Sequence, residues 1–345
     1  MSVSAKSSQI SRRGWLQSAA AIGTAALLPI TARSNETPFI ARPLGYVKLP
    51  DGRCLAYSEW GAGDAKHVVI HHHGIPSCRL DGESFIEALR CRPGVRLYVI
   101  DRPGIGCSSP YACKSFLNWP ADLRCFVDAL KIDRFAIMGA SGGTPYALAA
   151  ARAMPDRVTA VCIGCPMAPL EVVGRKTGSG AIGAQLATRH PLLSRIILGS
   201  FANAERRRPN RMPLLGRVAS KPDHDLLLDP AERKYLSHIV DEAFRQGADQ
   251  VVREAALLQT CWDNWLPEVR THVRIIEGCE DKIAPPVMAK YLVSRLPSAD
   301  LTLVPGEAHV SLGRHRAGDQ LEMTLSPKPG VVTSARPASS IVSDR

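Results

Sequence analysis

The sequence predicts an α/β fold in which a mostly parallel β-sheet has helices on both faces. Short segments with strand character alternate with helical segments, which is the pattern of parallel sheets. These strand segments are apolar along their whole length, as a sheet buried on both faces requires. The chain of 345 residues is 45% hydrophobic and 22% charged, so it is globular and long enough for one large domain with an insertion or for two small domains.

The first half of the chain begins with a hairpin and continues with alternating strands and helices. Asp51-Gly52 is a typical hairpin turn between two segments of alternating polarity. A helix at 118–130 places Trp119, Leu123 and Phe126 on one face. The predicted strands are 46–49, 54–59, 67–72, 95–100, 135–138 and 158–163, and a further helix is predicted at 80–91.

The alternation stops near Pro166 and returns after Trp265. Only helices are predicted between these residues, at 179–190, 230–247 and 248–261. Strands follow at 273–278 and 301–304 with a helix at 286–296 between them. A helical insertion between two parts of one sheet is typical of a lid. The predicted organisation is therefore a core of 39–165 and 266–325, a helical cap at 166–265, and a disordered tail rich in Pro, Ser and Val at 326–345.

Residues 1–38 are predicted to be an export signal and linker outside the fold. Ser11-Arg12-Arg13 precedes Trp15-Leu16 and a weakly apolar segment, which resembles a twin-arginine signal with Trp15 in the usual place of Phe. The apolar segment is short for a membrane span. Ile30-Thr31-Ala32 is a poor match to a cleavage site, so an uncleaved signal that tethers the protein to a membrane is an alternative. A functional signal predicts a periplasmic or other extracytoplasmic protein, and a non-functional one predicts a cytoplasmic protein.

The net charge of +11 is concentrated in one part of the chain. Residues 166–220 hold nine Lys or Arg against two Glu. The chain has no helix-turn-helix, zinc-finger or RNA-binding signature, so no nucleic-acid partner is expected. The basic segment is either a solvated face or a surface that favours anionic substrates or membranes.

The ten cysteines show no framework spacing. Cys162 and Cys165 have CxxC spacing at the end of a predicted strand, but no second pair follows at the spacing of a zinc site. We therefore expect buried thiols and no metal site.

Ser141 lies among very small residues between a predicted strand and a predicted helix. The segment Gly139–Gly143 has the form Gly-x-Ser-x-Gly, which places a serine on a strained turn that only small neighbours permit. The positive end of the following helix points at charge that develops on the substrate. Close helix packing on the sheet would also favour small residues here, so the interpretation of Ser141 as a nucleophile needs a base and an acid elsewhere.

Both groups are present downstream, at the ends of later strands. Asp281 follows the strand at 273–278, and His309 follows the strand at 301–304. The order Ser, Asp, His and the position of each at a strand end match a Ser-His-Asp triad. Glu280 and Glu307 lie next to these positions, but Asp281 is preferred because Gly278, Asp281 and Pro285 match the usual spacing of the acid turn.

Two backbone N–H groups are expected to form an oxyanion hole. One belongs to Gly142, which follows the nucleophile, and the other to Ile75 in the loop His73-Gly74-Ile75-Pro76 after a strand. His71 and His72 lie within or at the end of that strand and are predicted to be structural.

Together, these motifs resemble the α/β-hydrolase superfamily. They are the loop at His73, the turn Asp101-Arg102-Pro103-Gly104-Ile105-Gly106-Cys107-Ser108, the elbow Gly139–Gly143, Asp281 and His309, and they span about residues 43–312. The resemblance implies an eight-stranded sheet, a helical cap over the site and no cofactor. The polar residues 313–325 depart from the family pattern and predict a weak last helix.

The function expected from the resemblance and the triad is hydrolysis of a carboxylic ester of a small-molecule acyl substrate. Relatives with a similar His-Gly-x-Pro loop include epoxide hydrolases and haloalkane dehalogenases, whose elbow carries Asp, so Ser141 favours acyl transfer instead. A C–C bond hydrolase, a lactonase, a proline-releasing aminopeptidase and a non-catalytic binding module remain alternatives. The residues that bind the substrate are not predicted; Trp262 and Trp265 are either pocket or core residues.

Overall fold

Eight strands of the chain form one mixed sheet. The computed structural model describes residues 39–174, 177–207 and 220–326. The strands are β1 Phe39–Lys48, β2 Cys54–Ala62, β3 His67–His72, β4 Val95–Ile100, β5 Phe135–Ala140, β6 Val158–Gly164, β7 Val273–Gly278 and β8 Ala299–Val304. Their order in the sheet is β1-β2-β4-β3-β5-β6-β7-β8. The pairs β1–β2 and β2–β4 are antiparallel and the other five pairs are parallel, which confirms the predicted fold class.

Helices cover the sheet and fill the long connection between β6 and β7. The helices outside this connection are α1 Ile86–Arg90, α2 Trp119–Ala129, α3 Thr144–Ala153, α10 Pro286–Arg295, α11 His309–His315 and α12 Ala317–Leu325. Those within it are α4 Leu170–Val173, α5 Gly178–Arg189, α6 Pro191–Arg207, α7 Lys221–Leu226, α8 Pro230–Ala243 and α9 Asp249–Leu257. We call residues 165–272 the helical insertion; its described residues contain no strand.

The sheet separates two apolar layers. In β5, Ile137 packs with the aromatic side chains of α2 and α3, whereas its neighbours Ala136 and Met138 pack on the other face with Phe85 and Leu321. Successive residues of a strand point to opposite faces, so both faces of a central strand must be apolar. This arrangement explains why the predicted strands are apolar throughout.

The structure differs from the sequence predictions mainly at helices. The helix predicted at 80–91 is instead a 3₁₀ segment, Arg79–Phe85, followed by the short α1. A side chain at Gly82 in this segment would collide with the indole of Trp60. Residues 191–207, for which no helix is predicted, form α6.

The prediction of a weak last helix is wrong. Two helices, α11 and α12, follow β8, and α12 buries Leu321. Its polar residues are also accommodated, because buried Gln320 donates a hydrogen bond to Gly139 O at 3.0 Å and Thr324 donates one to Gln320 O. The polar pattern at 313–325 therefore reflects satisfied buried groups rather than a frayed helix.

Two predicted segments lie outside the described residues: the export signal at 1–38 and all but the first residue of the tail at 326–345. Across the described ranges, no helix is both long and apolar enough to cross a membrane.

Candidate active site

Ser141 lies on a sharp turn between β5 and α3. Its φ is +50°, a left-handed conformation that is uncommon for residues with a side chain and that often marks functional sites. A Cβ at Gly143 would lie 2.2 Å from the carbonyl oxygen of His72, so the turn passes against β3 only because that position is glycine. Pro145 lies in the first turn of α3, where it removes no helical hydrogen bond.

The structure brings Ser141, His309 and Asp281 into one hydrogen-bonded chain. His309 Nε2 lies 2.9 Å from Ser141 Oγ, and His309 Nδ1 lies 2.6 Å from Asp281 Oδ2. The other carboxylate oxygen of Asp281 accepts hydrogen bonds from the N–H groups of Ile283 and Ala284 at 2.7 and 2.8 Å. The Asp281 side chain is fully buried, and that of His309 is 12% exposed. The carboxylate thus holds the imidazole with Nε2 directed at the serine.

The neighbouring acids have other partners. Glu280 accepts a hydrogen bond from the Gly306 N–H, and Glu307 pairs with His315. The side chains of His71 and His72 are buried and have other partners: His71 Nε2 bonds Asp81, and His72 Nε2 accepts the indole N–H of Trp119. Asp281, and neither Glu280 nor Glu307, is the acid that bonds His309.

Electrostatic interactions raise the pKa of His309. Burial alone would lower it, but the charge and hydrogen bond of Asp281 and the charge of Asp223 more than offset burial. Glu277, at the end of β7, is fully buried, and its carboxyl group interacts with that of Asp281. Burial, followed by the charge of Asp281, raises the pKa of Glu277 to about 10, so this carboxyl is neutral at pH 7.

Asp223 on α7 is a second acid close to His309, and the sequence analysis does not identify it. Its Oδ1 accepts hydrogen bonds from the N–H groups of Val310 and Ser311, in the first turn of α11, at 2.8 and 2.9 Å. His309 is the first residue of that helix. The helical insertion therefore caps the helix that carries the histidine. No local sequence pattern indicates this role, because Asp223 lies 86 residues before His309 in the chain (309 − 223).

The two residues predicted for the oxyanion hole are adjacent in space. A Cβ at Gly142 would lie 2.6 Å from Ile75 Cδ1, and a Cβ at Gly74 would lie 3.4 Å from Ser141 Cβ. The loop after β3 therefore lies directly against the elbow. Within the described ranges, the Ile75 N–H has no hydrogen-bond acceptor.

Ser141 and His309 open into a cavity of about 400 Å³. Its apolar wall comes mainly from the helical insertion and from the loop after β3; the residues are Ile75, Pro76, Leu198, Phe201, Leu236, Ile239, Val240 and Ile283. The lining also includes one carboxylate and one guanidinium, those of Asp81 and Arg314, and both are engaged: Asp81 with His71, and Arg314 with Glu232 and Ser84. Trp262 and Trp265 belong to the core instead.

The remaining predictions concern cysteines and basic residues. All ten cysteines are free, and Cys162 and Cys165 are buried as predicted. Burial raises the pKa of Cys162 to about 12, so its thiol is uncharged. In the basic segment, Arg195 and Arg206 pair with Asp249 and Asp241, which fits a solvated face; several of its other basic residues lie outside the described ranges.

Two groups among the described residues bring three possible metal ligands within 4.8 Å of one another. The first consists of Cys165, Asp281 and His309, and the second of Asp101, Cys107 and Glu242. In the first, His309 and Asp281 hydrogen-bond each other. In the second, the Arg79 guanidinium bonds both carboxylates and already neutralises charge there. Both donor sets are thus engaged in other interactions.

Comparison with known proteins identifies the same architecture. A family model for the alpha/beta hydrolase fold matches residues 67–315. A proline iminopeptidase of Arabidopsis thaliana is 28% identical over 144 residues, which are 39% of this chain and 35% of that protein, so the chain spans about a third of the length of this relative.

Solved structures match over most of the chain. An alpha/beta hydrolase enzyme from a Medee basin deep-sea metagenome library has a TM-score of 0.62 at 20% identity and covers 84% of this chain and 100% of its own. The enol-lactonase of Burkholderia xenovorans LB400 has a TM-score of 0.56 at 18% identity, covering 81% and 97%. A thermophilic esterase of Thermogutta terrifontis has a TM-score of 0.58 at 17% identity, covering 83% and 97%. At these identities the likeness concerns the fold.

Proposed function

The chain belongs to the α/β-hydrolase family, and from this premise we propose that it hydrolyses carboxylic esters through a covalent acyl-enzyme on Ser141. The observation that supports this most is the continuous chain of hydrogen bonds from Ser141 through His309 to Asp281 at the edge of an apolar cavity. A serine hydroxyl is a weak nucleophile at neutral pH, and a hydrogen-bonded imidazole held by a carboxylate is the arrangement that activates it.

In the acylation step, Ser141 Oγ attacks the ester carbonyl carbon while its proton passes to His309 Nε2. The carbonyl oxygen becomes an oxyanion, and the N–H groups of Ile75 and Gly142 stabilise it in this proposal. His309 then donates its proton to the alkoxide of the leaving alcohol as the C–O bond breaks. Asp281 keeps the imidazole in the required tautomer and stabilises its charged form.

Deacylation repeats these steps with water. His309 takes a proton from the water as its oxygen attacks the acyl carbon, and the second oxyanion collapses to release the acid and return the proton to Ser141. Nothing beyond water and the ester is consumed. The raised pKa of His309 implies that this base works best above its ordinary titration range.

The cavity favours an ester whose group in the pocket is apolar and uncharged. Its wall is mainly aliphatic and aromatic, and its two charged side chains already have protein partners. A volume of about 400 Å³ is at the small end of ligand pockets and suits an acyl or alkyl group of moderate size. We further propose that the helical insertion acts as the cap, since α6 and α8 supply much of this wall.

The alternative activities use the same serine. A lactone is a cyclic ester, and the same steps would open it. An aminopeptidase must bind a free amino group, which calls for an unpaired carboxylate; among the described residues that line the cavity, Asp81 is the one carboxylate, and it is bound to His71. This observation disfavours the proline-releasing alternative. Release of proline from a proline arylamide faster than hydrolysis of any ester would overturn the choice.

Ser141→Ala tests the proposal on a panel of p-nitrophenyl esters with acyl chains of two to twelve carbons. The variant should fold normally and lose about 10⁴-fold or more of kcat, because the nucleophile is removed while the cavity stays intact. Ser179→Ala, which changes another serine on the cavity wall, is the matched control and should retain activity. Labelling with a fluorophosphonate should occur in the wild type and the control but not in Ser141→Ala. Undiminished hydrolysis by Ser141→Ala rules the mechanism out, and a wild type that neither labels nor hydrolyses is a binding module.

A further inference from the structure

Arg102 lies completely buried in the loop after β4, where it contacts the backbone of the loop that carries Ile75. Its side chain is 1% exposed. Nη1 donates to the His73 carbonyl oxygen at 2.6 Å, and Nη2 donates to the Gly74 carbonyl oxygen at 2.9 Å. A buried guanidinium that bonds two successive carbonyls fixes the orientation of two successive peptide planes.

The orientation of the Gly74 carbonyl determines where the Ile75 N–H points. The peptide between Gly74 and Ile75 is trans, and in a trans peptide the C=O and N–H point in opposite directions. The Gly74 oxygen is bound by Arg102 Nη2 and also lies 2.9 Å from His73 Nδ1. The Ile75 N–H must therefore point away from Arg102. Gly74, the residue before Ile75, lies next to the Ser141 side chain.

Arg102 is in turn held by Glu254 of α9, which belongs to the helical insertion. Arg102 Nε and Nη2 donate to the two Glu254 oxygens at 2.7 and 2.9 Å. The guanidinium also lies over the ring of Tyr146 on α3, 4.6 Å from its centroid, and the Tyr146 hydroxyl donates to Glu254 at 3.3 Å. Lysine has no planar fork and cannot make this set of bonds.

We propose that Arg102 is a positioning residue for the oxyanion hole, and that Glu254 makes this positioning depend on the helical insertion. The inference rests on the proposed function, because an oxyanion forms only if Ser141 attacks a carbonyl. Arg102 never touches the substrate: it is not in the cavity lining, and it acts through the Gly74–Ile75 peptide. The pair therefore contributes to transition-state stabilisation rather than to substrate binding.

The double variant Arg102→Met/Glu254→Leu separates positioning from stability. Removing both charges leaves no unpaired ion in the core, and such replacements often preserve folding. With the carbonyls released, kcat for the best p-nitrophenyl ester should fall about 10² to 10³-fold, the range for a lost oxyanion donor, while KM changes little. The midpoint of thermal unfolding is measured alongside.

A trifluoromethyl ketone with the same acyl chain reports the oxyanion hole directly. Ser141 Oγ adds to its carbonyl carbon, the proton passes to His309, and the oxyanion remains in place. Its inhibition constant should rise by about the same factor as kcat falls, whereas a ketone-free ether analogue should bind as before. Arg102→Lys, which keeps the charge but bonds fewer acceptors, should show a smaller change in the same direction.

Arg53→Met/Asp122→Leu is the matched control, because it removes a bidentate ion pair that lies outside the cavity lining. It should leave kcat and the inhibition constant unchanged. Full kcat in a folded Arg102→Met/Glu254→Leu variant overturns the inference while Ser141→Ala still tests the reaction itself. If the double variant does not fold, Arg102→Lys decides: equal losses in ketone and ether binding, or no loss in either, also overturn it.

Discussion

The two sides of the candidate site are built differently. On the sheet side, Ser141, Asp281 and His309 follow the ends of β5, β7 and β8 and bond one another through side chains at 2.6 and 2.9 Å. On the insertion side, the contacts are indirect. Asp223 bonds the backbone after His309, and Glu254 bonds Arg102, which bonds the backbone before Ile75.

This difference separates the groups proposed to react with the substrate from the groups that hold them in place. The parallel strands end at the same edge of the sheet. Groups placed just after these strands therefore lie close to one another, whichever residues the insertion contains. The insertion then adjusts the orientation of donors, the charge near the imidazole and the shape of the cavity wall. We expect sheet-side substitutions to abolish turnover, and insertion-side substitutions to change its pH dependence, its selectivity or its transition-state affinity.

Asp281→Asn should have the largest effect of the substitutions considered next. An amide in this position favours the wrong imidazole tautomer, so kcat should fall about 10⁴-fold while the fold is retained. Steady-state kinetics on the best ester measure it. Glu280→Gln is the control one residue away; among the described residues its carboxylate bonds only the Gly306 N–H, and activity should stay within about twofold. A larger loss in Glu280→Gln than in Asp281→Asn would reassign the acid.

Phe201→Ala on α6 should alter selectivity without disabling the enzyme. Phe201 is a large apolar residue of the cavity wall. Its removal should lower kcat/KM for an octanoyl ester about tenfold, in line with the loss of one buried apolar contact surface, and should leave the acetyl ester nearly unchanged. Leu192→Ala, on the same helix but 69% exposed, is the control. Equal loss on both esters would mean that Phe201 supports the fold rather than the acyl group.

The sheet side could be predicted from the sequence because its signals are local. A glycine-rich turn around Ser141, the spacing before Asp281 and the strand before His309 each lie within a few residues of the group that they identify. Glu254, Asp223 and Glu277 carry no such signal. Glu254 bonds Arg102 although 152 residues separate them in the chain. Glu277 is distinguished by its burial next to Asp281, which its neighbours in the sequence do not indicate. Long-range contacts and burial arise only when the chain folds, so local sequence patterns do not predict them.

Asp223→Asn should move the acid limb of the pH–rate profile to lower pH. The proposed reaction needs neutral His309, so kcat/KM should rise as pH passes through the pKa of that residue. The charge of Asp223 helps to raise this pKa, and a neutral amide removes that contribution while its oxygen still caps Val310 and Ser311. The pH profile of kcat/KM on one ester measures the shift. An unmoved limb, or one displaced to higher pH, would contradict the electrostatic role.

Glu277→Gln makes the same chemical change on the sheet side and should have the smallest effect. Burial and the charge of Asp281 raise the pKa of Glu277 to about 10, so near pH 7 the native residue is already neutral, and an amide of the same shape changes no charge. The expected kcat/KM is within about twofold of the wild type, with an unmoved acid limb. If Glu277 carried a charge, its loss would lower the pKa of His309 and displace the limb as in Asp223→Asn. Two carboxyl-to-amide changes near one imidazole thus distinguish a charged acid contributed by the insertion from a neutral acid within the sheet.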